Sequence, residues 1–225
     1  MKQVLVIGAS RGIGFELVRQ SLADGAQVVA TARSDEGLAR LAEAGAKPLR
    51  LDVASAAGCS GLAWQIDGMA FDAAWLVAGV YGPRSQGLEP PTEAQFDEVM
   101  HSNVLAAMRL LPAVADALAP AARIAVLSSR MGSMGLRTAG NGWLYRASKA
   151  ALNSVLKDAS LLLAGRATCA ALHPGWVQTD MGGAGADISV ERSVSDMRAT
   201  VAALTPADNG GFFNHDGQPL AWYPQ

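Results

Sequence analysis

Tyr145 and Lys149 form the pair whose residue types and spacing are best suited to acid–base chemistry. Residues four apart on a helix lie on one face, one turn from each other. A phenol has an unperturbed pKa of about 10, which makes it a poor acid–base group at neutral pH. A neighbouring ammonium favours the phenolate, so we expect Lys149 to lower the Tyr145 pKa. Such pairs also occur on solvated helices, so a surface role stays open for the pair alone.

Ser128 and Ser129 follow directly after an apolar run at residues 123–127, which has the pattern of a buried strand. A hydroxyl at the end of such a strand can hydrogen-bond a substrate carbonyl and stabilise charge that develops on its oxygen. The alternative is an ordinary turn at the end of a strand.

A glycine-rich loop follows the first apolar run, residues 4–7. Gly8 permits a tight turn, Gly12 lets backbone approach a pyrophosphate, and Gly14 lets the next helix pack closely against the strand. The amides at the start of that helix then face negative charge. Because a strand precedes it and a helix follows it, the loop at residues 8–14 is predicted to bind phosphate. The loop also contains Ser10, Arg11 and Ile13.

The choice between NAD and NADP depends on the end of the second strand, residues 27–32. Arg33 follows that strand and Arg11 lies in the phosphate loop. Two guanidinium groups near the adenosine ribose favour a 2′-phosphate, so we predict NADP(H). Asp35 and Glu36 are interpreted as charges at a helix N-terminus. A solvated loop charge remains the alternative for Arg33.

Short β-branched runs alternate with longer segments of helical period along the chain. Strands are predicted at residues 4–7, 27–32, 47–51, 73–77, 123–127, 167–172 and 211–214, and helices at 13–24, 36–44, 56–69, from Thr92 with a capping box to Gln95, 144–163 and 190–204. Helical crossovers between strands require a parallel sheet. We therefore predict an α/β fold, a single-domain doubly wound parallel sheet (Rossmann-like) with helices on both faces, over residues 1–225.

The motifs in this order resemble the short-chain dehydrogenase/reductase (SDR) family over essentially the whole chain. They are the GASRGIG loop, Ser-Ser after the fifth strand, Tyr-x-x-x-Lys and His173-Pro174-Gly175. The closing segment, residues 210–222, is similar to the C-factor-like and sniffer-type carbonyl reductase branch.

The resemblance implies roles for matching residues. Tyr145 would be the general acid, Lys149 would lower its pKa and bind the nicotinamide ribose, Ser129 would polarise the carbonyl, and Asn103 would support a proton relay. The implied cofactor-binding residues are Gly8, Ser10, Arg11, Gly12, Ile13, Gly14, Arg33, Asp52, Val53, Ala78, Gly79, Tyr145, Lys149, Pro174, Gly175, Val177 and Thr179. Each of three residues also has an ordinary structural interpretation when it is considered alone. Asn103 could bond nearby backbone, Asp52 could cap the turn after the third strand, and Thr179 could be an ordinary loop residue.

Three departures from the family pattern stand out. The usual Asn-Asn-Ala-Gly is here Leu76-Val77-Ala78-Gly79, which leaves open how the region of Asn103 is tied to the sheet. The interval from Ser129 to Tyr145 is longer than usual, so Ser133 is a minor rival for the serine role. The segment at residues 181–204 is short, which indicates a small lid.

Five large side chains are expected around the nicotinamide: Trp143, Tyr81, Met131, Trp176 and Met181. They form either an apolar substrate wall, suited to a hydrophobic or aromatic ketone or aldehyde, or ordinary packing under loops.

Composition excludes several classes of protein. Half of the 225 residues are hydrophobic, 17% are charged and the net charge is −2, which excludes a disordered polyelectrolyte and argues against nucleic-acid binding. No run reaches the roughly 18 apolar residues that span a bilayer, so we expect no membrane segment and a cytoplasmic location. Cys59 and Cys169 lack metal spacing, and no metal site is predicted.

The sequence favours an NADP(H)-dependent enzyme that interconverts a carbonyl and an alcohol. The alternative is a dinucleotide-binding regulatory or signalling protein of the same fold with little turnover. By analogy with the family, the helices that begin at Thr92 and Leu144 would form the interface of a homodimer or homotetramer.

Overall fold

The sheet of this computed structural model, which describes residues 1–223, has seven parallel strands in the order β3-β2-β1-β4-β5-β6-β7. The last two residues of the predicted domain, 224 and 225, lie outside the described range. The strand order reverses between β1 and β4, where doubly wound sheets bind their ligands. The strands are β1 Gln3–Ile7, β2 Gln27–Ala32, β3 Lys47–Arg50, β4 Phe71–Leu76, β5 Leu118–Leu127, β6 Ala167–His173 and β7 Gly211–Asn214.

Helices cover both faces of this sheet and connect its strands. They are α1 Gly12–Ala23, α2 Asp35–Glu43, α3 Ala56–Ser60, α4 Leu62–Gln65, α5 Glu93–Met100, α6 Ala106–Asp116, α7 Trp143–Leu162 and α8 Val190–Ala203. A π-helical turn, His101–Leu105, joins α5 to α6.

The sheet separates two hydrophobic cores because successive side chains of a strand point to opposite faces. Leu5 and Ile7 of β1 pack in the core shared with α6 and α7. Val4 and Val6 pack in the other core, with α1 and α8. A continuous apolar run is therefore the expected pattern for β1, which is buried on both faces.

Most predicted elements are confirmed, including the α/β fold. The capping box at the start of α5 is present: Thr92 Oγ1 accepts from the Gln95 amide, and the Gln95 side chain accepts from the Thr92 amide. Two predictions about continuity were wrong. The helix predicted over residues 56–69 breaks at Gly61 into α3 and α4. The helix from Thr92 contains the π turn.

Within residues 1–223, no helix combines the length and the apolar character needed to cross a membrane.

Candidate active site

The carboxyl edge of the sheet brings together loops that are far apart in the sequence. Gly8 follows β1 and has φ +89°, and a Cβ on it would lie 2.6 Å from the Ala78 amide after β4. A Cβ on Gly79 would lie 3.0 Å from Asn103 Oδ1 and 3.3 Å from Lys149 Nζ. The phosphate loop and the predicted catalytic residues therefore flank one cleft.

The phosphate loop has the close approaches that its glycines predict. A Cβ on Gly14 would lie only 2.2 Å from the Gly8 carbonyl oxygen, so no larger residue fits between this helix and strand. Within residues 1–223, no side chain caps the start of helix α1, and its first turn contains no acidic residue. Its first amides therefore remain available to an anion such as a phosphate.

The loop after β6 closes over the phosphate loop. A Cβ on Gly12 would lie 3.5 Å from the Thr179 methyl group. Thr179 Oγ1 accepts a 3.1 Å hydrogen bond from the Gly182 amide, and Val177 is buried and bridges Ile188. Gly175, next to Pro174, has φ +88° and packs near His215. These residues lie at the edge where the sequence predicted them.

Arg11 precedes helix α1 in the phosphate loop, and Arg33 follows strand β2. Arg11 Nη1 is 2.8 Å from Asp180 Oδ2, and both side chains are exposed. Arg33 is exposed at the end of β2, and its carbonyl accepts from Arg50 Nη1 at 2.9 Å. Both guanidinium groups can therefore turn towards a ligand, Arg11 by exchanging its partner.

Helix α2 shows the end charges that were predicted for it. Asp35 and Glu36 lie in its first turn. Sequence reasoning missed Arg40 on the same helix, whose Nη1 donates to the Ser10 carbonyl at 3.1 Å and whose Nη2 pairs with Glu36. Arg40 therefore ties α2 to the phosphate loop; its one-turn spacing from Glu36 was the available signal.

Asp52 and half-buried Val53 follow β3 at the outer end of the cleft. The Asp52 carboxylate accepts a 3.1 Å hydrogen bond from the Ala54 amide. A Cβ on Gly58 would lie 2.5 Å from the Asp52 carbonyl oxygen, so α3 packs directly against this turn. Asp52 thus shapes a turn, as its alternative interpretation expected, and its position beside the adenine remains a prediction.

Tyr145 and Lys149 are both buried on one face of α7. Lys149 Nζ donates to the Leu127 carbonyl at 2.8 Å and lies 5.7 Å from the centre of the Tyr145 ring. Burial lowers the pKa of Lys149 to about 8. The amine is therefore held rigidly at the end of β5.

The expected lowering of the Tyr145 pKa is wrong for this arrangement. Burial raises the pKa of Tyr145 to about 12, and the neighbouring Ser129 hydroxyl opposes the rise. Burial removes the water that would solvate a phenolate, and this destabilises the charged form. The hydrogen bond from Ser129 stabilises the phenolate by a smaller free energy, so the pKa rises. At neutral pH the phenol therefore carries its proton.

The three candidate serines have different contacts. Ser128 Oγ donates to Asn153 Oδ1 within the core. Ser133 Oγ donates to the Ala221 carbonyl at 2.6 Å, so this hydroxyl is occupied by a backbone contact. Ser129 Oγ accepts from the Met131 amide at 3.1 Å and adjoins the phenol of Tyr145. These contacts favour Ser129 over both rivals.

The Asn103 side chain ties its helix to the loop after β4, although the motif at residues 76–79 lacks the usual asparagines. Its Oδ1 accepts from the Val80 amide and its Nδ2 donates to the Val80 carbonyl, both at 2.8 Å. Nδ2 also lies 2.9 Å from Ser148 Oγ, which in turn donates to the Tyr145 carbonyl. Backbone groups of the loop after β4 therefore replace the missing side chains.

Tyr81 packs against the Tyr145 ring. Its ring stacks on that of Tyr145 with centroids 4.5 Å apart and planes at 21°. Arg84, which sequence reasoning missed, lies over the Tyr81 ring at 5.0 Å. A Cβ on Gly142 would lie 2.6 Å from the Tyr81 hydroxyl and 3.4 Å from the Met131 methyl group, so both side chains pack against the start of α7.

The other three large side chains proposed for the substrate wall differ in exposure. Trp176 is 54% exposed and Met181 41% exposed. Trp143 is half-buried at the start of α7. The choice between a substrate wall and loop packing stays a prediction for these side chains.

Comparisons with known proteins agree with this arrangement. A family model for short chain dehydrogenase matches residues 2–187. The C-signal protein of Myxococcus xanthus is 39% identical over 123 residues, which cover 53% of this chain and 74% of that protein.

Solved structures match over almost the whole chain. The carbonyl reductase Sniffer of D. melanogaster has a TM-score of 0.89 and 29% identity, with 99% of this chain and 100% of that chain covered. The NADPH-bound carbonyl reductase from chicken fatty liver has a TM-score of 0.86 and 30% identity, with 99% of each chain covered. Its fold and relatives place this chain in the short-chain dehydrogenase family, with C-signal and the carbonyl reductase Sniffer among the proteins to which it is similar.

Proposed function

We propose that this protein is an NADP(H)-dependent oxidoreductase that interconverts a ketone or aldehyde and the corresponding alcohol. One observation carries the proposal. Ser129 adjoins the buried, protonated phenol of Tyr145, and Lys149 is fixed one helical turn away, at the edge of the sheet that also holds the phosphate loop. A protein that only binds a dinucleotide has no need of the acid.

The cleft fits NADP(H) by its shape and its charges. The uncapped start of α1 and the glycines at positions 8, 12 and 14 suit the pyrophosphate. Arg11 and Arg33 suit the 2′-phosphate, since guanidinium groups bind phosphate through paired hydrogen bonds. The remaining contacts would come from Ser10, Ile13, Asp52, Val53, Ala78, Gly79, Pro174, Gly175, Val177 and Thr179. When bound, the reduced cofactor supplies a hydride for the substrate carbon.

The roles of the side chains follow from their protonation and position. Tyr145, protonated at neutral pH, donates its proton to the carbonyl oxygen in the reductive direction. Ser129 donates a hydrogen bond to the same oxygen and orients the substrate. Lys149 holds the nicotinamide ribose and stabilises negative charge on the phenol once its proton has left. Asn103, through Ser148, fixes the backbone of Tyr145 and supports a proton relay.

The substrate is a hydrophobic or aromatic carbonyl compound. Tyr81 stacks on Tyr145, Met131 lies with Tyr81 near Gly142, and Trp176 and Met181 are exposed in the loop after β6. Trp143, at the start of α7, would complete this apolar wall. Chicken carbonyl reductase and Sniffer, named as carbonyl reductases, are structural neighbours and support this substrate class. The chain would act as a homodimer or homotetramer. Phe96 of α5 and Met108 of α6 are 47% and 53% exposed, which supports an interface along these helices.

The test is to mix the protein with NADPH and a panel of aromatic ketones and aldehydes, following loss of the absorbance of the reduced cofactor. We expect turnover of several aromatic substrates. Cofactor affinity is measured separately by fluorescence titration. Tight NADPH binding with no turnover of any substrate would instead support the dinucleotide-binding regulatory protein. Weak binding without turnover would contradict both functions.

A further inference from the structure

The loops on the substrate side of the cleft carry an excess of positive charge. Residues 128–149 contain Arg130, Arg137 and Arg146 and no Asp or Glu, in a chain whose net charge is −2. Arg84 joins them from the loop after β4, which also carries Glu89. Within residues 1–223, none of these four guanidinium groups lies within 4 Å of a carboxylate oxygen, a property they share with Arg33, Arg109, Arg123 and Arg166, whereas the other six arginines are paired with one.

A pocket of about 500 Å³ opens between two of these loops. Tyr81, Arg84, Ser85 and Gln86 line one side, and residues 139–141 line the other. Tyr81 belongs both to this pocket and to the stack on Tyr145, so the pocket begins one aromatic ring away from the proposed general acid.

Arg84 is held in the pocket wall by two contacts. Its guanidinium lies 5.0 Å over the Tyr81 ring, and Nη2 donates to the Met181 carbonyl at 3.0 Å. An arginine has five N–H donors, so the group keeps donors for a ligand. The stack and the backbone contact orient its planar fork before any substrate arrives.

Arg146 places a second positive charge behind the wall formed by residues 139–141, which faces Arg84 across the pocket. Arg146 is buried and donates to the Asn141 carbonyl at 2.7 Å and to Asn141 Oδ1 at 2.9 Å, which fixes this lining residue. Burial lowers the pKa of Arg146, and the nearby charge of Arg137 lowers it further. The Arg146 guanidinium thus adds positive charge behind the wall that Asn141 forms, which favours an anion in the pocket.

We propose that this pocket is a carboxylate subsite, with Arg84 as its recognition residue. The preferred substrates are then carbonyl compounds that bear a carboxylate about one aromatic ring away from the reacting carbonyl. The carbonyl lies at Tyr145 while the carboxylate reaches Arg84 past Tyr81. This inference rests on the proposed function.

The test compares 4-formylbenzoate with its methyl ester, which has nearly the same shape and no charge. The measured quantity is the ratio of kcat/KM for the acid to that for the ester, with NADPH. We expect the wild-type ratio to be about 10 or more, as for a charge-assisted hydrogen bond of 1.5–3 kcal/mol. Arg84→Gln should bring this ratio near one, and Arg84→Lys should leave it at an intermediate value.

The control is Arg166→Gln, another exposed arginine whose Nη2 donates to a single backbone carbonyl, that of Ala115. Its ratio should equal that of the wild type. Terephthalate, a dicarboxylate with no reducible carbonyl, should inhibit ester reduction by the wild type and by Arg166→Gln but not by Arg84→Gln.

Each outcome has a distinct meaning. Turnover of both compounds with a wild-type ratio near one, or an unchanged ratio in Arg84→Gln, would overturn the subsite and leave the proposed function standing. An absence of turnover with either compound, and with the wider panel of aromatic carbonyls, would overturn the proposed function and this inference with it.

Discussion

The Asn103 side chain pairs with both the amide and the carbonyl of Val80, each at 2.8 Å. This contact joins the π turn between α5 and α6 to the loop after β4. It also reaches Tyr145, because Asn103 Nδ2 contacts Ser148 Oγ, which donates to the Tyr145 carbonyl. One amide therefore holds both a structural loop and the helix turn that carries the proposed acid.

Replacing Asn103 with Leu should destabilise the protein by about 1–3 kcal/mol, the cost of one unsatisfied buried polar group. The change removes the partners of two backbone groups of Val80, which is half-buried, so water can satisfy part of what is lost. Urea unfolding followed by circular dichroism measures the loss. The exposed Glu98→Gln on the same helical segment is the control and should change the free energy of unfolding by less than about 0.5 kcal/mol. Equal stabilities for the two variants would contradict the role given to Asn103.

Much of this arrangement could be predicted from the sequence because it depends on local patterns. The strand runs, the capping box of Thr92 and the shared face of Tyr145 and Lys149 follow from spacing alone. The π turn at Asn103 could not be predicted, because a single extra residue in a helical turn leaves the apolar period almost unchanged. The break at Gly61 was equally hidden, since Gly58 and Gly61 weaken a helix without fixing where it ends.

The direction of the Tyr145 pKa could not be predicted either. The sequence shows that an amine lies one turn away, but burial depends on the Tyr81 ring and on packing around α7. The same limit hid Arg84, whose stack on Tyr81 depends on the path of the loop at residues 79–91. The spacing along a helix predicts that Tyr145 and Lys149 are neighbours. The degree of burial, which sets the direction of the pKa shift, is known only from the folded structure.

Tyr145→Phe should lower kcat by about 10²–10⁴-fold, the usual contribution of a positioned acid. The ring keeps its volume and its stack on Tyr81, so NADPH affinity should change by less than about threefold. Stopped-flow turnover and fluorescence titration measure the two quantities. Retained turnover would refute the assignment of the acid, and a matching loss of cofactor affinity would indicate a structural defect instead.

Stability should fall as the pH decreases from 6.5 towards 4 because of His173. Burial, together with the charges of Arg130 and His215, lowers the pKa of His173 from 6.5 to about 4. Its Nδ1 is buried without a hydrogen-bond partner in the part of the chain that the structure describes. Between these pH values the unfolded chain binds more protons than the folded one. The stability difference is therefore fully present above pH 6.5 and is lost as the pH falls through that interval.

His173→Asn should flatten this dependence. The wild type should lose on the order of 3 kcal/mol more than the variant between pH 6.5 and 4, since one pKa unit corresponds to about 1.4 kcal/mol. Urea unfolding at several pH values measures the two slopes. His101→Asn, at an exposed position, should keep the wild-type slope. Parallel curves for the wild type and His173→Asn would show that another group titrates in this interval.

Arg33→Asp should shift cofactor preference from NADPH towards NADH by tenfold or more in the ratio of kcat/KM values. The carboxylate repels a 2′-phosphate and accepts hydrogen bonds from a free ribose hydroxyl, so the two cofactors are affected in opposite directions. Arg166→Asp makes the same charge change away from the cleft and should leave the preference unaltered. If Arg33→Asp also leaves it unaltered, the phosphate is held by Arg11, and Asp180→Asn, which frees that guanidinium from its partner, should then strengthen NADPH binding. Because Arg11 pairs with Asp180 while Arg33 has no carboxylate partner within residues 1–223, we expect Arg33 to contribute more to binding of the 2′-phosphate.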